Sequence, residues 1–263
     1  MIKGGMAYIV FAVACLALGV LGLVYGDFAL VWQPVPDGLP GRSLLAYVCA
    51  LIMVAVGVGL LFRQSLRLAA SVFFVYVLLW LVLLRVPAVI TAPLVEGSWA
   101  GCGETCVLLA GAWVLFALTH DHATALTGER GVRGAAVLYG LALLPCGLAH
   151  MVYSKQTADM VPSWLPGHTT WAYLTGVAYL AAAAAVLLRV LARPAATLSA
   201  LMMGVFTLLC WVPGVYRSPG DRFQWTGMLI SLSLTAAAWV VAASYRGPGR
   251  PMGQPILTSA SET

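Results

Sequence analysis

The stretch from Val35 to Ala117 returns, without insertion or deletion, as Val161 to Ala243. Val-Pro-Asp-Gly-Leu-Pro-Gly-Arg at 35–42 stands opposite Val-Pro-Ser-Trp-Leu-Pro-Gly-His at 161–168, a shift of 126 positions. The register holds through Arg63/Arg189, Arg67/Arg193, Pro87/Pro213, Pro93/Pro219, Trp99/Trp225 and Trp113/Trp239. Internal repetition constrains architecture before any local signal does, because each copy is one structural unit. Comparing the copies also separates what both need from what only one has.

The repeated unit is a lipid-embedded one. With 62% hydrophobic and 9% charged residues the chain lies far outside the soluble globular range. Eight apolar runs, at about 6–25, 44–62, 68–90, 104–118, 134–153, 170–191, 195–213 and 225–243, suit helical crossing of a bilayer, the fourth being the shortest. Lipid leaves an open strand edge without partners, and the alternation of a membrane barrel is missing. The expected fold is therefore all-α and polytopic, two parallel-repeat four-helix bundles. Residues 1–118 and 134–243 form the two units, 119–133 the connection, and 244–263 a Gly-, Pro- and Ser-rich tail expected to be disordered.

Charge supplies an orientation. Placing the N-terminus, the 63–67 and 189–194 turns, the 119–133 connection and the tail on one side collects nine of the 14 basic residues, while six of the nine acids fall opposite. The positive-inside rule then puts both termini in the cytoplasm, and the net charge of +5 reflects topology, not nucleic-acid binding. The first run, although preceded by Lys3, is read as a retained span and not a signal peptide. Arg outnumbers Lys 12 to 2 amid much Ala, Leu and Val, which points to a bacterium and hence its inner membrane. Four spans per unit is an even number, so the halves enter the membrane in the same direction, related by an axis along its normal.

Several elements recur in both units. Pro36 and Pro40, like Pro162 and Pro166, stiffen the loop before the second span, and the following Gly permits a tight reversal. Such a loop is either a rigid cap over helix ends or a lid over a cavity. Pro87 and Pro213 are expected to close the third span. Trp99 and Trp225 precede the fourth as interface anchors, and the paired arginines of the tight turns reach headgroups.

This combination resembles the DoxX-like membrane proteins: a small-residue first helix, a Val-Pro-x-x-Leu-Pro loop, an Ala/Gly-rich second helix, an Arg-x-x-x-Arg turn and a Trp before the last helix. The resemblance covers about 19–118 and 145–243, so the chain looks like a tandem fusion of two such units. It implies association with membrane redox or detoxification complexes, while distant relatives serve as cargo receptors or assembly chaperones. It brings no agreed catalytic residue with it.

Polar residues present in only one copy mark where activity would reside. Glu104 stands opposite Ile230, Arg85 opposite Trp211, Cys102 opposite Met228 and Cys106 opposite Leu232, and His150 aligns with Tyr25 after a one-residue gap. A charge near membrane depth is a functional hypothesis with a partner to be named. Glu104, expected at the start of the fourth span, is assigned Arg85, either as a structural ion pair or as part of a ligand or proton site with His150, Tyr25 and Trp211. Cys102 and Cys106, four apart on one helix face, lack the spacing of a thioredoxin-like or zinc motif. Packing, a redox or disulfide pair, and a metal shared with His150 are the readings they allow. His120 and His122, flanking Asp121, are read as a solvated loop, and no metal site is assigned.

The functional expectation is a DoxX-like protein that binds a small apolar molecule, a quinone being the candidate cofactor. It would act as an accessory subunit beside a membrane or periplasmic redox partner protein. The alternative is a non-catalytic chaperone or scaffold, which the lack of a complete catalytic constellation favours.

Overall fold

The structure is a computed structural model, and it describes residues 5–120 and 124–245. Among the described residues, eight helices are long and apolar enough to cross a bilayer. We number them α1 (Met6–Tyr25, within the helix Gly5–Tyr25), α2 (Arg42–Leu61), α3 (Leu66–Thr91), α4 (Glu96–Thr119), α5 (Gly128–Val152), α6 (His168–Leu187), α7 (Ala192–Arg217) and α8 (Arg222–Ser244). The protein is thus an all-α, multi-pass membrane protein, and no strand occurs among the described residues. The repeat survives in the fold almost residue for residue. Helices start at 42 and 168, 66 and 192, and 96 and 222, each pair 126 apart. Gly41 and Gly167, at φ 71° and 74°, make the matching left-handed entries to α2 and α6 that the loop motif requires.

Each quartet is an open arc. Within a unit each helix packs on its sequence neighbours, but α1 packs along α8, and α5 along α4, so the first helix of one unit closes against the last helix of the other. The ring that results has α4 and α8 in contact across its centre. They are also its most interior members, with 61% and 67% of their span windows buried against 28–39% for the other six. At their contact, a Cβ on Gly111 would lie 2.7 Å from the Ala237 Cα, and these two positions are themselves equivalent, 126 apart. Equivalent residues meeting each other place the pseudo-two-fold axis at this contact. Small residues there let the backbones approach, the usual basis of helix association where lipid offers no hydrophobic driving force.

Two sequence expectations change. Pro87 and Pro213 do not close the third span. Each follows a single π turn, Leu81–Arg85 and Thr207–Trp211, after which the helix continues. Proline lacks an N–H and its ring meets the carbonyl four residues back. Widening one turn, with Val86 and Val212 donating five residues back to Leu81 and Thr207, keeps the helix going where a break would expose backbone to lipid. The fourth span begins earlier than expected, at Glu96. Glu104 and Cys102 therefore sit in its interior, and Glu96 is the acid in its first turn. Trp99 and Trp225 likewise lie inside α4 and α8, where their indole N–H groups donate to the carbonyls of Pro93 (2.9 Å) and Pro219 (2.8 Å).

The π turns re-aim their last residues, the equivalents Arg85 and Trp211, onto another equivalent pair, Gly101 and Gly227. A Cβ would come within 2.3 Å of the Arg85 guanidinium at Gly101 and 2.0 Å of the Trp211 ring at Gly227. Gly227→Ala should therefore destabilise the protein by about 1–3 kcal/mol through overpacking against a rigid ring. Gly38→Ala, with nothing within 4 Å, should stay within about 0.5 kcal/mol. Thermal melting of the purified variants checks both.

Candidate functional site

The two arcs share helices but differ inside, and the difference begins at the end of the first helix of each unit. After α5 the chain turns through a short helix, Ser154–Asp159, and passes along the rim. After α1, residues 27–33 instead dip into their arc. Ala29 N–H donates to the Gln33 side chain (2.8 Å), whose amide donates to the Tyr76 hydroxyl (3.1 Å). The Arg85 guanidinium, buried at 8% exposure, donates to the carbonyls of Val31 (3.2 Å) and Trp32 (2.7 Å). Val31 has φ 64°, a strained value for a β-branched residue, held by contacts on both sides of it. Phe28 packs edge-on to Trp80, and Trp32 reaches into the other unit against Trp211 and Phe223.

The inserted segment leaves the first arc a cavity of about 100 Å³, bordered by Cys49, Tyr76, Trp80, Arg85 and Glu104. The second arc keeps a cavity of about 780 Å³, inside the 300–1,000 Å³ range of small-molecule sites. Trp32, Glu104 and Ile230 border both, so the Trp32 side chain helps form the partition between them.

The larger cavity is aromatic and apolar with few polar groups. His150 lies between Tyr179, at 5.2 Å and edge-on, and Phe206, at 5.5 Å and stacked. Its Nδ1 is 2.8 Å from the Thr175 hydroxyl. That hydroxyl also lies 2.8 Å and 3.0 Å from the carbonyls of Trp171 and Ala172, which can only accept; with its single hydrogen shared between them, it accepts from the ring. In neutral His150 the proton then sits on Nδ1, and Nε2 is a hydrogen-bond acceptor with no partner among the described residues. Glu104 faces the same space from α4, and Ser231 from α8, its hydroxyl 2.8 Å from that of Thr207. Val161, Pro162, Trp164 and Leu165 line the cavity too, so in this unit the proline loop covers a cavity mouth.

Of the residues singled out by the repeat comparison, Glu104, His150 and Trp211 share the larger cavity. Arg85 borders the smaller one beside Glu104, but makes no salt bridge with it; its Nη2 donates to the inserted backbone and its buried Nε has no partner among the described residues. Tyr25 lies apart, its ring beneath the Arg222 guanidinium at 5.1 Å. Cys102 and Cys106 border neither cavity, and all six cysteines are unpaired. Pro36 and Pro40 border neither of these cavities, whereas the Pro166 carbonyl accepts from Trp171 (3.1 Å). His120, half-buried just past the end of α4, is anchored on one side: its ring packs on Phe116 at 4.2 Å and meets the Ser71 hydroxyl at 3.3 Å. Asp121, His122 and the tail from 246 lie outside the described residues.

The sequence reading missed the polar cluster that holds the inserted segment. Asp27 receives the Phe28 N–H (2.8 Å), pairs with Arg42, and pairs through its other oxygen with Arg222 of the second unit (3.1 Å). Arg222 also donates to the Phe28 carbonyl, and the Arg42 guanidinium lies over the Phe28 ring at 5.4 Å. A signal was present, because Arg42 stands opposite His168 and Arg222 opposite Glu96 across the repeat. Burial pushes the Asp27 carboxyl up, but the Phe28 N–H, Arg222 and Arg42 together outweigh it and hold it below its ordinary 3.8.

Residues 139–242 match the model of a family described as a domain of unknown function, DUF8561. The matched segment lies within the second unit, from Tyr139 in α5 to Ala242 in α8. No curated protein and no solved structure matches the chain.

A depressed folded-state pKa contributes stability that is present above the unfolded value and lost as pH falls through the folded one. Wild-type melting temperature should therefore drop as pH falls below 3.8. Asp27→Asn should melt lower at pH 7, by about 1–2 kcal/mol, and lose that part of the acid dependence. Melting curves between about pH 3 and pH 7 test the sign.

Proposed function

We propose that this protein is a DoxX-like tandem protein of a bacterial inner membrane, both termini cytoplasmic, that binds a flat apolar molecule of quinone type in its second unit. In this reading it is an accessory subunit of a membrane redox system, with a membrane or periplasmic redox protein as its partner. The observation that carries the proposal is the unequal filling of two equivalent arcs. A duplicated scaffold has kept one interior hollow and closed the other with its own chain. The open interior also gathers Glu104 and His150, polar positions that the other copy lacks, with the flat surfaces of Tyr179, Phe206 and Trp211. Apolar walls with a few convergent polar groups suit a planar ring bearing oxygen atoms at its edge. Glu104 and His150 would bind and orient that edge.

The test is ligand-dependent melting of the purified protein. A short-chain ubiquinone analogue in its reduced, hydroxyl-bearing form should raise the melting temperature of wild type, and the shift should fall by at least about half in Glu104→Gln and vanish in His150→Ala, as expected when a buried hydrogen-bond partner is removed. No shift in wild type, together with a stoichiometric protein that co-purifies without any bound small molecule, would replace this reading with the scaffold.

A further inference from the structure

The walls of the larger cavity include residues that face the bilayer. Tyr179 and Met203 border it at 4% exposure each, yet so do Leu174 on α6 (53%) and Leu198 and Leu201 on α7 (64% and 62%). A space bordered by both interior and lipid-facing side chains reaches the outer surface of the ring, here between α6 and α7. The first unit provides the control. The equivalents of Leu174, Leu198 and Leu201 are Val48, Val72 and Val75, similarly lipid-facing at 43%, 38% and 50%, and none borders the smaller cavity. The side opening therefore belongs to the hollow arc alone. Along α7 it extends from Leu198 to Leu209, roughly 16 Å at 1.5 Å per residue.

The polar groups lie at the inner end of this slot. With the Thr175 hydrogen directed at its helix carbonyls, His150 donates from Nδ1 to Thr175 and the neutral ring accepts at Nε2. An accepting nitrogen in apolar surroundings calls for a donor, and an occupant with none would leave it unsatisfied. A hydroxyl meets that need and a carbonyl does not. Leu174, Leu198 and Leu201, exposed residues that border the slot between α6 and α7, are by contrast aliphatic.

Resting on the reading above, we propose that the occupant is a long-tailed amphiphile drawn laterally from the bilayer between α6 and α7. Its hydroxyl-bearing head, for a quinone-type ligand the hydroquinone, sits against His150 and Glu104. Its alkyl or isoprenoid tail lies in the slot facing lipid. Leu201, 62% exposed and bordering the cavity, sets the width of the entrance.

The experiment uses the full chain in nanodiscs, with 2,3-dimethoxy-5-methylhydroquinone and its 6-decyl derivative as probes and calorimetric Kd as readout. Leu201→Trp should weaken the decyl compound by about tenfold, the scale of overpacking one contact, and leave the tailless compound within about twofold. His150→Ala should weaken both hydroquinones, and wild type should bind each hydroquinone more tightly than the matching quinone. Wild type that binds both probes, with Leu201→Trp without effect on the decyl compound, would overturn the lateral slot and leave the proposed function standing. Quinone bound more tightly than hydroquinone would overturn the hydroxyl assignment. Binding of neither probe would overturn this inference and the proposed function together.

Discussion

The insertion of residues 27–33 into the first arc is the interaction on which the rest of the arrangement depends. A backbone segment inside a membrane bundle is tolerable only where its polar groups find partners in the protein. Three arginines supply them. Arg85 takes the carbonyls of Val31 and Trp32, Arg222 takes that of Phe28, and Arg42 joins Arg222 on Asp27. Because Arg222 belongs to the second unit, the same contacts fasten the two units across their seam at this end. Trp32, delivered by the segment to Trp211 and Phe223, then becomes part of the wall of the neighbouring cavity.

Duplication explains how this asymmetry arises without loss of the fold. Ring closure uses positions that recur, such as the Gly111–Ala237 contact on the axis and the Gly101 and Gly227 seats under Arg85 and Trp211. The π turn, forced by Pro87 in one unit and Pro213 in the other, presents one side chain inward from each third helix. One copy places a guanidinium there, which can bind inserted backbone. The other places an indole, which forms a flat wall and binds none. A single difference at equivalent positions thus matches one filled arc and one hollow arc.

Much of this was legible in the sequence. The spans and the repeat were, because lipid forces backbone to satisfy itself and the 126-residue register is ungapped over the region compared. The boundaries that moved did so for local reasons. Pro87 reads as a helix end in water-soluble proteins, but in lipid the chain widens one turn in preference to exposing carbonyls. Glu96 and Glu104 depress hydropathy at the head of α4, which made that helix look short although both lie on it. Glu104, His150 and Trp211 were found because the two copies disagree at those positions. Asp27 escaped because its partner Arg222 is 195 positions away, and no periodicity links them. The cavity itself had no sequence signal, since it depends on where the chain after α1 goes.

An experimental density map of the protein in lipid nanodiscs tests the central claim most directly. The account predicts Trp32 seated between the arcs against Trp211 and Phe223, protein side chains filling the first arc, and non-protein density in the second beside His150. Residues 27–33 lying outside the ring, or equal non-protein density in both arcs, would contradict it.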